Sequence, residues 1–216
     1  MIRVGLLKRY SFLLLGLFFM GLGISLITRS FLGTPPISSI PYVLCLSYPV
    51  TFGELTFALS LFFLAGEIVI LKKAFPKHQY LQVFVGLFLG VFVDVGMFLT
   101  APVHPVSYVG EIIVLLAGCL VLALGIFLQV SANVIMNPGE GLVKAIAEKT
   151  GHRFGIVKIV FDSSLVFGAA IISFFTLGSI EGLREGTVVS ALIVGYIILG
   201  LGVIFNRLDF EKWLAQ

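Results

Sequence analysis

The chain has 216 residues, of which 59% are hydrophobic and 12% are charged, and its formal net charge is +3. Soluble domains carry about 25% charged residues, so this composition excludes a soluble protein and indicates an integral membrane protein. Every hydrophilic stretch is short and lies between apolar runs of membrane-spanning length. We therefore expect an all-α protein with a single transmembrane domain over residues 1–216.

Run length and hydrophobic pattern predict six transmembrane helices. They cover residues 10–32, 53–71, 79–99, 109–134, 154–177 and 186–206. Two shorter segments, 34–51 and 137–152, follow the first span of each half of the chain. Each starts at a proline break, at Pro36 and at Pro138, and proline favours the first turn of a helix. We expect a short proline-initiated helix in both places.

The two halves match each other at a constant offset of 102 residues. The matched pairs are Gly16 with Gly118, Gly23 with Gly125, Pro36 with Pro138, Gly53 with Gly155, and Gly66 with Gly168. Composition alone would align about one glycine pair or fewer, so the four pairs indicate a duplication. Repeat 1 then covers about 10–99 and repeat 2 about 109–206. Because each repeat has three spans, the second enters the membrane from the opposite side, as in the inverted repeats typical of secondary transporters.

The Lys and Arg residues in the connections and near the ends of the spans predict the orientation. If the amino terminus is cytoplasmic, the inner side carries all of these residues except Arg29 and Arg184. This positive-inside bias predicts a multi-pass protein of the cytoplasmic membrane with both termini in the cytoplasm. The lipid bilayer is then the expected partner of the basic residues. No basic patch contains interleaved aromatic residues, so nucleic-acid binding is not expected.

The two proline-initiated segments are the first candidates for function. The second carries Glu140, Lys144 and Glu148 at i, i+4 spacing, which predicts an amphipathic helix at the membrane interface, whereas the uncharged first segment could re-enter the membrane. A helix that starts at Pro138 can direct free backbone N–H groups, including that of Gly139, at an anionic or polar solute. The alternative is a lid or elbow that only packs the bundle.

Ionisable residues within the spans form a second group, because they are costly in lipid and often line a cavity or pair internally. Lys158 and Asp162 are four residues apart on the fifth span, so they can form an ion pair, and Asp162 is deep enough to contact a substrate or relay a proton. A purely structural pair is equally open. Asp94 on the third span is a further candidate for proton or cation coupling, and we expect Glu67 to be solvated near the inner interface.

Three amide side chains form the last group. Gln129, Asn133 and Asn137 follow each other at i, i+4 and i+8 and predict one stripe on the fourth span. Amides can donate or accept hydrogen bonds to a polar solute, although they can equally bond between helices. With Gly139, Lys158 and Asp162 they complete the predicted substrate-binding set.

Small residues four apart, Gly86 with Gly90 and Ala191 with Gly195, allow close approach of helices. They predict packing of the two repeats within one chain, or a homodimer. The three histidines lie in separate connections, and no catalytic or phosphate-binding motif occurs. We therefore predict no enzymatic activity, metal or cofactor.

Glycine and proline motifs extend over nearly the whole chain. They are Gly21-Leu22-Gly23, the break from Gly33 to Pro36, Asn137-Pro138-Gly139-Glu140-Gly141, and Thr150-Gly151-His152-Arg153-Phe154-Gly155. In these motifs the chain resembles the bacterial YczE/YyaS/YitT group of integral membrane proteins, some of which are described as permeases. The resemblance implies a bacterial membrane protein and does not specify a substrate.

Together these features predict a six-helix transporter or permease that binds a small polar or anionic solute between two inverted repeats. Alternating access would come from rocking of one repeat against the other. Two alternatives stay open. One is a channel-like pore, suggested by the three-plus-three plan and an Asn-Pro motif, and the other is a non-transporting partner that regulates another membrane protein.

Overall fold

The computed structural model describes residues 2–206, with side chains described for residues 6–203, and every regular element in this range is helical. The α-helices are α1 (Ile2–Arg29), α2 (Ser39–Ser47), α3 (Phe52–Leu71), α4 (Gln82–Leu99), α5 (Tyr108–Ala132), α6 (Pro138–Thr150), α7 (Phe154–Leu177) and α8 (Glu185–Asn206). All except α2 and α6 are long and apolar enough to cross a membrane. The predicted all-α fold with six spans is therefore confirmed for the described residues.

Local signals determine where the helices begin. A capping box starts α3, because the Glu54 N–H donates to Thr51 Oγ1 at 3.0 Å and the Thr51 N–H donates to Glu54 Oε2 at 2.9 Å. Asn137 caps α6 by accepting a hydrogen bond from the Gly139 N–H at 3.1 Å, and Pro138 is the first helical residue. A short 3-10 turn, Pro36–Ser38, precedes α2. Both predicted proline starts are thus present.

Two of the spans end slightly earlier than predicted. We expected the first to reach residue 32 and the fourth to reach residue 134, but α1 ends at Arg29 and α5 ends at Ala132. Phe31 and Asn133 have φ angles of 60° and 48°, and residues in this left-handed region cannot continue a right-handed helix. These two residues are also separated by the 102-residue offset.

The centre of the bundle is the close pairing of α1 with α5. A Cβ atom at Gly23 would collide with the backbone of Leu122, and one at Gly125 would lie 2.5 Å from the Met20 nitrogen. Glycine is required at both positions because the two backbones leave no room for a side chain. The largest buried apolar cluster surrounds this pair and includes Leu17 and Val93, which are completely buried.

The remaining helices pack around this centre in pairs. α4 packs on α1, α8 on α5, α2 on α7, and α3 on both α4 and α6, whereas α7 and α8 hardly touch. The small-residue pairs explain part of this difference. A Cβ at Gly90 would lie 2.5 Å from the Gly53 oxygen, while a Cβ at Gly195 would meet nothing within 4 Å. Gly86 and Gly90 therefore join α4 to α3 within one half of the chain, instead of joining the two halves as we predicted.

Candidate functional site: a cavity between α7 and α8

A cavity of about 770 Å³ occupies the space where α7 and α8 fail to pack. Its other walls come from α1, α3, α4, α5, the start of α6 and the residues around the 3-10 turn. Most of the lining residues are apolar, and the ionisable ones are Glu140, Lys158 and Asp162. A largely apolar pocket with a few convergent polar groups is typical of a binding site.

Lys158 and Asp162 form the ion pair that their spacing predicts. Lys158 Nζ donates to Asp162 Oδ1 at 2.7 Å and to Oδ2 at 2.8 Å, so the ammonium group contacts both oxygens of the carboxylate. The side chains are only 31% and 21% exposed, so each charge is compensated chiefly by the other. The pair lies in the cavity wall near the amino-terminal end of α7.

Glu140 is a cavity residue that the sequence analysis assigned to the exposed face of an interfacial helix. Lys144 and Glu148 do form an exposed pair, 3.9 Å apart, with side chains more than half exposed. Glu140, one turn earlier, lines the cavity instead, because the first turn of α6 is held between α3 and α7. Its carboxylate makes no hydrogen bond or salt bridge to any residue in the described part of the chain.

The surroundings of Glu140 change its acidity. Burial raises the pKa of the Glu140 carboxyl above its ordinary value, the Lys158 ammonium partly lowers it, and the Asp162 carboxylate raises it. Burial is the largest of these effects because it disfavours the charged form. The i, i+4 spacing of Glu140, Lys144 and Glu148 did not indicate that Glu140 is partly buried in a cavity. Its position directly after the Asn137-Pro138-Gly139 break could have indicated it.

The predicted amide stripe does not form. It required α5 to continue through Asn133, but the helix ends at Ala132 and Asn133 is an exposed residue with φ 48°. Gln129 is 3% exposed and does not line the cavity. Asn137 does line it, while its side chain caps α6.

The backbone of Gly139 is also occupied. Its N–H donates to the Asn137 side chain, a Cβ added at this position would meet Ile37 and Phe63, and Gly139 does not line the cavity. The structure therefore brings together Asn137, Lys158 and Asp162 from the predicted substrate-binding set. It leaves Gln129, Asn133 and Gly139 outside.

Asp94 lies away from the cavity and fixes the start of α3. Asp94 Oδ2 accepts a hydrogen bond from Thr51 Oγ1 at 2.6 Å, and Oδ1 accepts one from the Gly53 N–H at 2.7 Å. A carboxylate at a helix amino terminus is stabilising, because it meets free N–H groups and the positive end of the helix dipole. The predicted coupling role of Asp94 thus receives no support from its position.

Glu67 is buried and not solvated as we expected. It is 5% exposed, accepts a hydrogen bond from Gln82 Nε2 at 3.0 Å, and lies directly against Gly141. The expectation was wrong because α6 packs on α3 and covers the carboxyl-terminal part of that helix. The sequence of the span alone does not show this contact. Glu67 does not reach the cavity.

Six apolar helices long enough to cross a membrane define a multi-pass helical membrane protein. The chain belongs to a family of unknown function (DUF6198), whose model matches residues 7–201. It is similar to the "Uncharacterized membrane protein YczE" of Bacillus subtilis (strain 168), with 28% identity over 194 residues, covering 89% of this chain and 85% of the relative. The resemblance drawn from the glycine and proline motifs is confirmed. No solved structure matches the chain.

Proposed function

We propose that this protein is a membrane transporter that binds a small solute carrying a polar or charged group in the cavity between two inverted repeats. One observation carries the proposal. The cavity is lined by residues from both halves at the 102-residue offset: Met20 with Leu122, Ile24 with Ile126, Pro35 with Asn137, Ser38 with Glu140, Thr56 with Lys158, and Ser60 with Asp162. A site at the junction of two repeats is the arrangement that alternating access requires.

Packing contacts support a two-fold relation between the repeats. A Cβ at Gly66 would contact Leu142, and a Cβ at the equivalent Gly168 would contact Ile40, which is the equivalent of Leu142. The α1 and α5 glycines behave in the same way. Gly16 faces Gln129 while Gly118 faces Ile27, and Gly23 faces Leu122 while Gly125 faces Met20. Equivalent residues thus exchange partners between the halves.

The one marked asymmetry also favours a transporter. α3 and α4 are in direct contact at Gly53 and Gly90, whereas the equivalent helices α7 and α8 are separated. A Cβ added at Gly155 or at Gly195 would meet nothing within 4 Å. In alternating access the two repeats hold different conformations and exchange them to open the site to the other side of the membrane. One closed and one open repeat is the arrangement expected of a single state in that cycle.

A solute screen followed by a flux assay tests the proposal. Thermal unfolding of the purified protein would be recorded with amino acids, organic acids, amines, nucleobases and phosphate. A solute at 100 times its Kd stabilises the folded state by about 2.7 kcal/mol. Uptake of each stabilising solute would then be measured in proteoliposomes of wild type, Gly195→Trp and Gly200→Trp.

The two glycine variants form a matched pair on α8. Both positions have open space around a new side chain, but only Gly195 lines the cavity. We expect saturable uptake that Gly195→Trp abolishes and Gly200→Trp preserves. Uptake that does not saturate would indicate a channel. The absence of any uptake, with a membrane protein co-purifying in a fixed ratio, would replace the transporter with a partner protein.

A further inference from the structure

The cavity opens towards the side of the bundle where lipid would lie. Ile159 and Phe167 of α7 and Val188 and Leu192 of α8 all line it, and each is at least 60% exposed. These apolar side chains stand on the two helices that hardly touch. A molecule with an apolar body can therefore enter between α7 and α8 from the hydrocarbon region, where a fully hydrated ion would first have to lose its water.

Three hydroxyl groups of the cavity donate to the backbone of their own helices. The Thr56 hydroxyl donates to the Phe52 oxygen, the Ser60 hydroxyl to the Thr56 oxygen, and the Ser190 hydroxyl to the Thr187 oxygen, at 2.8, 2.9 and 3.1 Å. Hydroxyl groups bonded to their own helix have little remaining donor capacity for a ligand. Since hydrogen bonds to charged groups are the stronger ones, the ionisable groups are the strongest polar contacts that the cavity offers to a ligand.

Those ionisable groups favour a cation over an anion. The cavity contains two carboxylates, Glu140 and Asp162, and one ammonium group, that of Lys158. Lys158 already donates to both oxygens of Asp162, so Glu140 is the ionisable group of the cavity whose carboxyl has no hydrogen bond or salt bridge within the described residues. An anionic ligand would meet two carboxylates and an ammonium group that is already paired, whereas a cation would complete a second ion pair.

We propose that the ligand of this cavity is an amphipathic organic cation, which enters between α7 and α8, places its cationic group against Glu140 and lays its apolar body along the open faces of these helices. The inference rests on the proposed function and narrows its substrate class. It replaces the anionic solute of the sequence analysis, for which the unpaired positive charge is absent from the described cavity wall.

Binding of two ions of the same shape and opposite charge tests this inference. The protein would be reconstituted in nanodiscs, and saturable binding of radiolabelled tetraphenylphosphonium and of tetraphenylborate would be measured against empty nanodiscs. The variants would be Glu140→Gln, which removes the charge at nearly constant shape, and Glu148→Gln, an exposed glutamate on the same helix. Thermal unfolding of each variant in nanodiscs would establish that it is folded.

We expect tetraphenylphosphonium to bind wild type and Glu148→Gln equally, and Glu140→Gln at least tenfold more weakly. Tetraphenylborate should bind at least tenfold more weakly than tetraphenylphosphonium to wild type. Equal binding of the cation to wild type and Glu140→Gln, or equal binding of both ions to wild type, would overturn the inference. If Glu140→Gln does not fold, the comparison of the two ions on wild type still decides it.

The outcome can be separated from that of the transporter proposal. If tetraphenylphosphonium fails to bind but a solute from the screen shows uptake that Gly195→Trp abolishes, the cavity transports a ligand of another class and only the present inference is wrong. If tetraphenylphosphonium fails to bind and no solute shows uptake that Gly195→Trp abolishes, both proposals are wrong.

Discussion

Substituting Gly23 by alanine tests the close pairing of α1 with α5 at the centre of the bundle. The added Cβ would lie 2.6 Å from the Leu122 Cα and would collide with the Leu122 nitrogen. Both are backbone atoms, so relief requires the two helices to separate by about 1 Å to reach ordinary van der Waals contact. Overpacking of this kind costs typically about 1–3 kcal/mol, and we expect the upper half of that range for Gly23→Ala.

The matched variants are Gly125→Ala and Gly200→Ala. A Cβ at Gly125 meets the Met20 nitrogen at 2.5 Å, so its cost should be similar to that at Gly23, whereas a Cβ at Gly200 meets nothing within 4 Å. In an open helix position, alanine is favoured over glycine by roughly 0.5–1 kcal/mol. Gly200→Ala should therefore be neutral or stabilising.

Reaction of Cys119 with a fluorogenic thiol dye during thermal unfolding provides the assay, in a background in which the half-buried Cys45 is replaced by alanine. Cys119 is completely buried beside this interface, so the dye reacts when α1 and α5 separate. We expect lower midpoints for Gly23→Ala and Gly125→Ala, and an unchanged or higher midpoint for Gly200→Ala. A Gly23→Ala midpoint equal to that of wild type would refute the argument that these backbones are in direct contact.

Three further predictions concern the charged residues. Tetraphenylphosphonium affinity should increase with pH up to the raised pKa of Glu140 and then level off, because the cation needs the carboxylate, whereas Glu140→Gln should give a flat profile in the same nanodisc titration. The groups facing this end of α6 are Lys158 and Asp162 from α7, while Glu67 lies on the Gly141 side. Glu140→Gln should also gain thermal stability relative to wild type as pH rises. The raised pKa of Glu140 means that the folded wild type holds a proton that the unfolded chain releases, so the wild type loses stability with rising pH and the glutamine variant does not. A constant difference between pH 5 and pH 8 would contradict this. Asp94→Ala should lose about 1–2 kcal/mol of stability, because the Thr51 hydroxyl and the Gly53 N–H lose a charged acceptor, without changing cation binding. A binding defect in that variant would mean that Asp94 acts on the cavity after all.

The sequence predicted the spans well because their signals are local. Length and apolarity identify each membrane-spanning helix, and proline marks the starts of the two short segments at Pro36 and Pro138. The i, i+4 pair of Lys158 and Asp162 was also predictable, because both residues lie in the interior of one helix, where spacing determines the face.

Predictions that depended on helix ends or on contacts between helices were less successful. The amide stripe failed because Asn133 takes a left-handed conformation just past the end of α5. Glu67 was predicted to be solvated and Glu140 to lie on the charged face of an interfacial helix, since nothing in their own segments shows that α6 packs between α3 and α7. Gly90 and Gly195 end similar small-residue motifs, and these motifs do not show that Gly90 contacts a neighbouring helix while the space around Gly195 is open.

Access to the cavity from the two sides of the membrane tests the transport claim without knowledge of the substrate. Ser60 lines the cavity and Ser25 is buried outside it, so each would be replaced by cysteine in a background in which Cys45 and Cys119 are alanine. A membrane-impermeant thiol reagent would be applied to right-side-out and inside-out vesicles. The account predicts that Ser60→Cys reacts from both sides, that the reagent does not cross the membrane, and that Ser25→Cys reacts from neither. Reaction of Ser60→Cys from one side only, or from neither side, would contradict alternating access through this cavity.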